Sequence, residues 1–264
     1  MIKKLSEPNR DLVLRFLKKD PSINIFIIGD IENFGFSQSF QEIWGSFDSK
    51  GTLRGVLLRF DKNYIPYFIH RNEEMIKEFK EIIMTDKNKK ILCGRASIVD
   101  VLKDSLLKYR EKIDYFCELK DTINLVEFSQ DIKVATLEDG SKIYDLLSNI
   151  EEFKKSFTNT IERIEKTIKT KQGKIYYIEN EEGKAISIAQ TSAENSHSAM
   201  VVGVATHKDY RKQGLVSQCL SKLAFDFLKE KNILCLSYDN PKAGSVYHRL
   251  GFKNIDRWSI LIEE

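Results

Sequence analysis

The order of hydrophobic and polar positions predicts helices and strands along the whole chain. Short apolar runs rich in Val and Ile, with polar turn residues on both sides, are typical of buried strands. Apolar residues that recur every three or four positions are typical of helices with one buried face. In the first half we predict strands at residues 42–47, 52–60, 64–70, 90–93 and 114–119, and helices at residues 9–19, 73–84 and 97–108. Residues 24–36 are compatible with a helix and with a strand, and their type stays open.

The second half of the chain repeats this order of elements. Its predicted strands are residues 132–136, 175–179, 185–191, 199–206, 233–238 and 257–262, and its predicted helices are residues 141–148, 159–170, 215–230 and 242–250. Little residue identity links the halves, so the similarity is one of element order. A chain of 264 residues suits two domains. We place the boundary within residues 122–132, where polar side chains interrupt the apolar pattern, and predict domains at residues 1–125 and 131–264.

One stretch of the second half has the pattern of a phosphate site. The buried strand predicted at residues 199–206 leads through a short loop into the helix predicted at residues 215–230. Such a turn brings unpaired backbone N–H groups and the positive end of the helix dipole to one point. Gly214 allows a close approach of the ligand, and Arg211 and Lys212 add positive charge. No Gly-Lys-Ser/Thr follows and the three-glycine dinucleotide fingerprint is missing, so a polyphosphate of another kind is expected.

Two motifs resemble those of the GNAT superfamily of acyl-CoA-dependent N-acetyltransferases. After Val204-Ala205-Thr206, the segment Arg211-Lys212-Gln213-Gly214-Leu215-Val216 is similar to the family's pyrophosphate-binding pattern, Gln/Arg-x-x-Gly-x-Gly/Ala. Its first two fixed positions match, whereas Val216 stands where the family usually has Gly or Ala. The segment Asn240-Pro241-Lys242-Ala243-Gly244-Ser245-Val246-Tyr247-His248-Arg249-Leu250-Gly251-Phe252 resembles the second motif, Asn-x-x-Ala-x-x-x-Tyr-x-x-Leu-Gly-Phe, at every fixed position.

The resemblance implies a mixed α/β chain of two tandem GNAT-like folds, each with a central mixed sheet flanked by helices. Residues 131–264 would be the catalytic domain and residues 1–125 a degenerate copy. The implied reaction is direct transfer of an acetyl group from acetyl-CoA, the co-substrate, to a primary amine of a small molecule or peptide. The implied cofactor-binding residues are Val204, Ala205, Thr206, Arg211, Lys212, Gln213, Gly214, Leu215, Val216, Ser217, Asn240 and Tyr247. In the family the Tyr hydroxyl lies near the thioester sulfur, so Tyr247 is the candidate general acid.

Two features of the central strand bear on the chemistry. Gly203 would weaken the strand unless it marks a bulge or the close approach of a ligand. No ionisable side chain stands at residues 199–206, so the general base is not identified. The candidates near the strand ends are Glu194, His197, His207 and Asp239. A relaying water, or attack by a neutral amine held beside the thioester, stays open as an alternative.

The first half has a different loop where its counterpart of the phosphate site would lie. That loop, His70-Arg71-Asn72-Glu73-Glu74, contains no Gly and carries two carboxylates. Like charges would repel a pyrophosphate there. We therefore predict that the N-terminal half does not bind CoA.

Composition narrows the partners. The net charge is only +3, from 42 basic and 39 acidic residues, and the basic residues are spread along the chain, which argues against a nucleic-acid partner. The Lys-rich residues 154–155 and 166–174 could attract an acidic substrate, but such runs are more typical of a solvated helix face. The four cysteines lack Cys-x-x-Cys spacing and lie in apolar runs, so we expect buried reduced thiols, no metal site and a cytoplasmic protein. No signal core or membrane span is predicted, and we expect a monomer or homodimer.

Two other functions are compatible with these motifs. A non-catalytic protein that binds or senses acyl-CoA is favoured by Val216 and by the strand without a carboxylate. An aminoacyl-tRNA-dependent transferase is the second alternative, because tandem GNAT-like folds also occur there. It would not bind CoA, and the intact phosphate loop argues against it.

Overall fold

Contacts divide the chain into two compact units. The computed structural model describes residues 1–153, 160–170 and 173–264, without the side chain of residue 152. Unit 1 comprises Met1–Phe116, Ser237–Asp239 and Asn254–Glu264, and unit 2 comprises Cys117–Leu236 and Asn240–Lys253. The division by contacts therefore differs from a single cut at residues 125–131, and the two domains inferred from sequence stay a prediction.

Strands and helices both occur in each half of the chain. The strands are β1 (Ile2–Lys4), β2 (Gln41–Phe47), β3 (Leu53–Phe60), β4 (Asn63–Phe68), β5 (Ile91–Arg95), β6 (Tyr109–Leu119), β7 (Lys133–Val134), β8 (Ile175–Glu179), β9 (Ala185–Ser192), β10 (Ser198–Thr206), β11 (Ile233–Tyr238) and β12 (Lys253–Glu263). The helices are α1 (Arg10–Leu17), α2 (Ile25–Phe34), α3 (Glu73–Thr85), α4 (Ala96–Asp100), α5 (Gly140–Ser148), α6 (Ile161–Thr170), α7 (Leu215–Glu230) and α8 (Pro241–Arg249). The predicted helix at residues 159–170 thus matches α6 from Ile161 on, and residue 159 lies outside the described residues. Residues 154–155 and 171–172 of the lysine-rich stretches also lie outside them.

Two predicted elements of unit 1 come out differently. Residues 24–36, left open, contain helix α2, in which Ile25, Ile27, Ile28 and Ile31 are fully buried. Burial on several sides removes the one-faced pattern that identifies a helix. The helix predicted at residues 97–108 is wrong beyond Asp100, the end of α4. A short 3₁₀ turn follows, where the Ser105 hydroxyl donates to the Leu102 carbonyl at 2.7 Å and so competes with the helical backbone pattern.

Unit 1 contains a mixed sheet with the strand order β1-β2-β3-β4-β5-β12-β6. Strands β2, β3 and β4 pair antiparallel in sequence order, and β4 pairs parallel with β5. The last strand of the chain, β12, is antiparallel to β5, with Trp258 opposite Arg95. Trp258 is buried and stacks on Phe116, with ring centroids 5.1 Å apart. The core of unit 1 therefore includes residues from the C-terminal end of the chain.

Unit 2 has the sheet order β11-β10-β9-β8-β7, with β10 parallel to β11 and antiparallel to β9. Successive residues of a strand point to opposite faces. Tyr177 accordingly lies in the hydrophobic core with Ile143 of α5 and Ile164 of α6. The hydroxyl of Tyr176 donates instead to Asp226 of α7 at 3.1 Å. Helices α5 and α6 therefore cover one face of the sheet, and α7 covers the other.

Candidate active site

Strand β10 carries a bulge at Gly203 and Val204. The pairing with β9 runs through Val202 opposite Gln190 and resumes at Ala205 opposite Ile188, so β10 contains one extra residue. Gly203 has a φ of +58°, and a Cβ built on it would lie only 1.8 Å from the Gln190 side-chain nitrogen. A side chain at this position would clash as well as strain the backbone, which explains the glycine. The interpretation of Gly203 as a bulge residue is confirmed.

Strand β10 separates from β11 after its first residues. Their parallel pairing begins at Ser198 opposite Ile233 and ends at Met200 opposite Cys235. In the described chain, the second half of β10 is therefore paired only with β9. Part of its main chain is already bonded, because the Ala205 carbonyl accepts from the Ser187 hydroxyl at 3.2 Å and the Thr206 carbonyl accepts from Arg211 at 3.2 Å.

The loop from β10 to α7 contains two residues with left-handed backbone. Lys212 has a φ of +65° and Gly214 a φ of +75°, both in the left-handed region. Left-handed backbone is uncommon for a residue such as Lys212 and marks a locally constrained turn. A Cβ built on Gly214 meets no atom within 4 Å, so glycine is required by its φ and not by lack of space. Arg211, Lys212, Gln213 and Gly214 are all exposed.

The amino end of α7 presents backbone donors to this loop. The backbone bond from Gln218 N–H to the Gly214 carbonyl, at 3.1 Å, closes the first turn of the helix. The amides of Leu215, Val216 and Ser217 precede that bond, in the part of a helix that has no intrahelical acceptor. The side chains of Leu215 and Ser217 are buried, and Val216 is half-buried. The first turn contains no acidic residue, so the positive end of the helix dipole is not offset there.

The corresponding helix of unit 1, α3, begins in the opposite way. The Asn72 side chain caps it by accepting from the Met75 amide at 2.9 Å. Its first turn contains Glu73 and Glu74, and Glu73 pairs with Arg71 at 2.7 Å. The amino end of α3 is therefore capped and negatively charged, which supports the prediction that this half does not bind CoA.

Helix α8 places Asn240 and Tyr247. Asn240 is the N-cap, where its side chain accepts from the Lys242 amide at 2.9 Å, and Pro241 occupies the first helical position. Tyr247 is half-buried, with its ring edge-on to Phe252 at a centroid distance of 6.1 Å. Burial raises the pKa of Tyr247 to about 12, and the nearby Cys117 thiol acts in the same direction. The phenol therefore keeps its proton at neutral pH and can donate it.

The Leu-Gly-Phe segment ends α8 through a buried turn. Leu250 and Phe252 are buried, and Gly251 between them has a φ of +97°. A Cβ on Gly251 would lie 3.2 Å from the Leu119 side chain. The motif residues therefore anchor α8 to unit 2.

The candidate bases are not brought together. Glu194 and His197 lie before β10, where Glu194 accepts from the Thr191 hydroxyl at 2.5 Å. At about 3.3 Å per residue, His197 is roughly 20 Å from Gly203 along the strand. His207 lies at the other end of β10, with its Nδ1 3.6 Å from the Asp209 carboxylate. Asp239 belongs to unit 1 and pairs with Lys112 at 3.3 Å.

A pocket of about 310 Å³, which we call the bulge pocket, opens beside Gly203. Its polar side chains include Arg163 of α6 and Gln190 of β9. Arg163 is the sole ionisable residue among the described residues that line it. Neither Arg163 nor Gln190 was predicted as a site residue. Gln190 carried a signal, since it is a polar residue in an apolar strand, whereas Arg163 is one of several charged residues of an amphipathic helix and carried none.

Apolar side chains form another part of the wall, and Thr167, Thr191 and Ser192 add hydroxyl groups. Leu147, Phe153, Ile164 and Val202 line the bulge pocket, from α5, the following turn, α6 and β10. In the chain as described, no three His, Cys, Asp or Glu side chains are grouped in a way that could bind a metal ion. The described helices also include none with the length and hydrophobicity needed to cross a membrane.

Comparison with known proteins identifies the family. The sequence model of the GNAT acetyltransferase family matches residues 26–261. No curated protein sequence matches the chain. Among solved structures, the chain is similar to a Drosophila protein from a structural genomics consortium, with a TM-score of 0.73 at 10% identity over 99% of this chain and 98% of that one.

Two further structures carry informative names. One is a tandem GNAT protein from the clavulanic acid biosynthesis pathway, with a TM-score of 0.61 at 12% identity over 99% of this chain and 97% of that one. The other is a GNAT acetyltransferase from Colwellia psychrerythraea, with a TM-score of 0.58 at 13% identity over 100% of both chains. These TM-scores show a shared GNAT fold. Since the family model also spans most of the sequence, the chain belongs to the GNAT acetyltransferase family and is an acyltransferase.

Proposed function

We propose that this protein transfers an acetyl group from acetyl-CoA to a primary amine of a small molecule, using the domain predicted at residues 131–264. The observation that carries the proposal is the amino end of α7. It combines a left-handed Gly214, exposed cationic side chains and a first turn without acidic residues. The start of α3 has no left-handed glycine, carries Glu73 and Glu74 in its first turn, and pairs its exposed cation, Arg71, with Glu73.

The diphosphate of CoA would bind at this helix end. The amides of Leu215, Val216 and Ser217 would donate to its oxygens, together with those of Gln213 and Gly214. Arg211 and Lys212 would add charge. The Arg211 guanidinium now donates to the Thr206 carbonyl, so it would exchange this bond for one to the ligand.

The pantetheine arm would follow β10 towards the bulge. In the described part of the chain, this strand has no pairing with β11 beyond Met200, which leaves room for a ligand to bond with the main chain of Val204, Ala205 and Thr206. Asn240, at the start of α8, would contact the same arm. The thioester would then lie near Gly203 and Tyr247.

The chemistry is a single displacement. The amine nitrogen attacks the thioester carbonyl carbon, the new C–N bond forms, and the C–S bond of the tetrahedral intermediate breaks. Tyr247 would supply its phenolic proton to the departing thiolate. The attacking nitrogen would release its surplus proton to water, and the Tyr247 phenolate would regain a proton from water. Among the described residues of the bulge pocket there is no carboxylate or histidine, so the amine would enter neutral, and positioning would replace a side-chain base.

Two measurements test the proposal. Calorimetric titration with CoA should show one site, and thiol detection should show release of CoA from acetyl-CoA when a suitable amine is present. Binding without turnover by any amine would favour the acyl-CoA sensor. If CoA fails to bind, the diphosphate site is wrong and the aminoacyl-tRNA-dependent alternative gains ground.

The compartment and the assembly belong to the same proposal. The described residues contain no disulfide, and Cys117, Cys219 and Cys235 are buried, which agrees with a reducing cytoplasm. We expect a monomer or a homodimer, and light scattering would decide between them.

A further inference from the structure

We infer that the acceptor is a small amino acid-like metabolite whose carboxylate pairs with Arg163 in the bulge pocket. The inference rests on the proposed acetyl transfer and narrows it to a substrate class. It starts from the position of the pocket, which includes Val202 and Gly203 of β10 and therefore adjoins the point where the thioester would lie.

The charge of the pocket selects the acceptor. Arg163 is exposed and lines the pocket, and in the described chain its guanidinium forms no ion pair. A planar guanidinium fits a carboxylate with two parallel hydrogen bonds. One cation balances one carboxylate, whereas a phosphate carries about −1.5 to −2 charges and would need more positive charge than a single Arg supplies. The pocket therefore favours a monoanionic acceptor.

The backbone of α6 stabilises the position of Arg163. Its carbonyl accepts from the Thr167 hydroxyl at 2.9 Å, and its amide donates to the Thr160 hydroxyl at 3.3 Å. Ile164, the next residue, is buried in the core of unit 2. The helix is thus anchored on one side and presents Arg163 on a neighbouring side, at the pocket.

Size and polarity limit the acceptor further. A volume of about 310 Å³ lies at the small end of ligand pockets, which span about 300 to 1,000 Å³. Leu147, Phe153, Ile164 and Val202 offer apolar contacts. An amine, one carboxylate and a short apolar side chain would fill such a space, and a folded protein substrate would not.

Three acceptors with the same apolar side chain distinguish recognition of the carboxylate from differences in amine basicity. They are free leucine, leucinamide and 3-methylbutylamine, tested with acetyl-CoA by thiol detection. The amine of leucinamide is less basic than that of leucine, so availability of neutral amine alone would favour the amide. We expect the opposite order, with leucine having a kcat/KM at least tenfold above both analogues. Equal values, or a preference for an analogue, would overturn the inference.

Variants of Arg163 test the pairing itself. Arg163→Gln should raise the KM for leucine by about tenfold or more and leave that for leucinamide within twofold. Arg163→Lys keeps the positive charge but lacks the planar guanidinium, so its KM for leucine should lie between those of the wild type and Arg163→Gln. Lys169→Gln removes a charge from the same helix outside the pocket and should change neither constant. If Arg163→Gln raises the KM equally for leucine and leucinamide, Arg163 has a structural role and the pairing with a carboxylate is refuted.

A binding measurement keeps this test independent of turnover. In the presence of CoA, N-acetylleucine should bind at least tenfold more tightly than N-acetylleucinamide, and Arg163→Gln should remove the difference. If amines without a carboxylate react and leucine does not, the proposed acetyl transfer stands and the pairing of a carboxylate with Arg163 is refuted. If no amine reacts, the proposed function fails, and the product titration still decides whether the pocket selects a carboxylate.

Discussion

Substitution of Gly214 by Asp tests the diphosphate site most directly. Gly214 has a φ of +75°, and a Cβ built there meets no atom within 4 Å. The substitution therefore makes two changes only. It strains the backbone by about 1 kcal/mol, and it places a carboxylate at the amino end of α7.

The expected loss of affinity follows from the added charge. A carboxylate about 4 Å from one phosphate charge is repelled by about 4 kcal/mol at an effective dielectric constant of about 20. Gly214 is exposed, so solvent screening should reduce this to about 2 kcal/mol. That corresponds to a dissociation constant for CoA roughly 30-fold higher. Added salt should reduce the difference between the wild-type and variant constants.

Two controls separate charge from strain. Gly51 also has a left-handed φ, +78°, with no atom within 4 Å of a built Cβ, and it lies in the β2–β3 turn of unit 1. Gly51→Asp should therefore lose the same stability and keep wild-type affinity for CoA. Gly214→Asn adds similar bulk without charge and should bind several times more tightly than Gly214→Asp.

Calorimetric titration with CoA, beside thermal unfolding of each variant, provides the data. Wild-type affinity in a folded Gly214→Asp variant would refute the diphosphate assignment. An equal loss in Gly51→Asp would show that the effect comes from strain elsewhere and not from repulsion at α7.

Four further predictions follow from the structure. Tyr247→Phe should lower kcat by about 10²-fold or more, as expected for loss of a general acid, with KM for acetyl-CoA little changed; unchanged turnover would remove Tyr247 from the reaction. Burial raises the pKa of Tyr247 to about 12 and so favours the protonated phenol. From about pH 6 to pH 9, kcat/KM should therefore rise along the titration of the acceptor amine and shift with amines of different basicity, and an inflection common to all amines would reveal an enzyme base. Gly203→Ala should lower the melting temperature by about 6 °C, from about 2 kcal/mol of clash and strain, and Gln190→Ala should recover part of this loss in the double variant, since the Gln190 side chain occupies the site of the added methyl. Asn72→Ala should destabilise unit 1 by about 1 kcal/mol and leave CoA affinity unchanged, whereas a loss of CoA binding would contradict the assignment of the site to α7.

The sequence alone was sufficient to predict those elements whose structure depends on residues close together along the chain. Helix α7 begins at Leu215 and ends at Glu230, and β11 runs from Ile233 to Tyr238, both at the predicted bounds. Their periodicity and the glycine before the helix are local signals. The bulge at Gly203 was likewise readable, because it depends on a backbone conformation that glycine favours.

Only the tertiary structure decided which distant segments meet. Helix α2 begins with the continuous apolar run Ile25-Phe26-Ile27-Ile28, whose periodicity could not distinguish a helix from a strand. Packing decided between them by burying the helix on several sides. Residues 254–264 follow α8 in the chain and yet belong to unit 1, through the pairing of β12 with β5. The bulge pocket joins Arg163, Gln190 and Gly203 from three elements, a meeting produced by long-range contacts that no local pattern encodes.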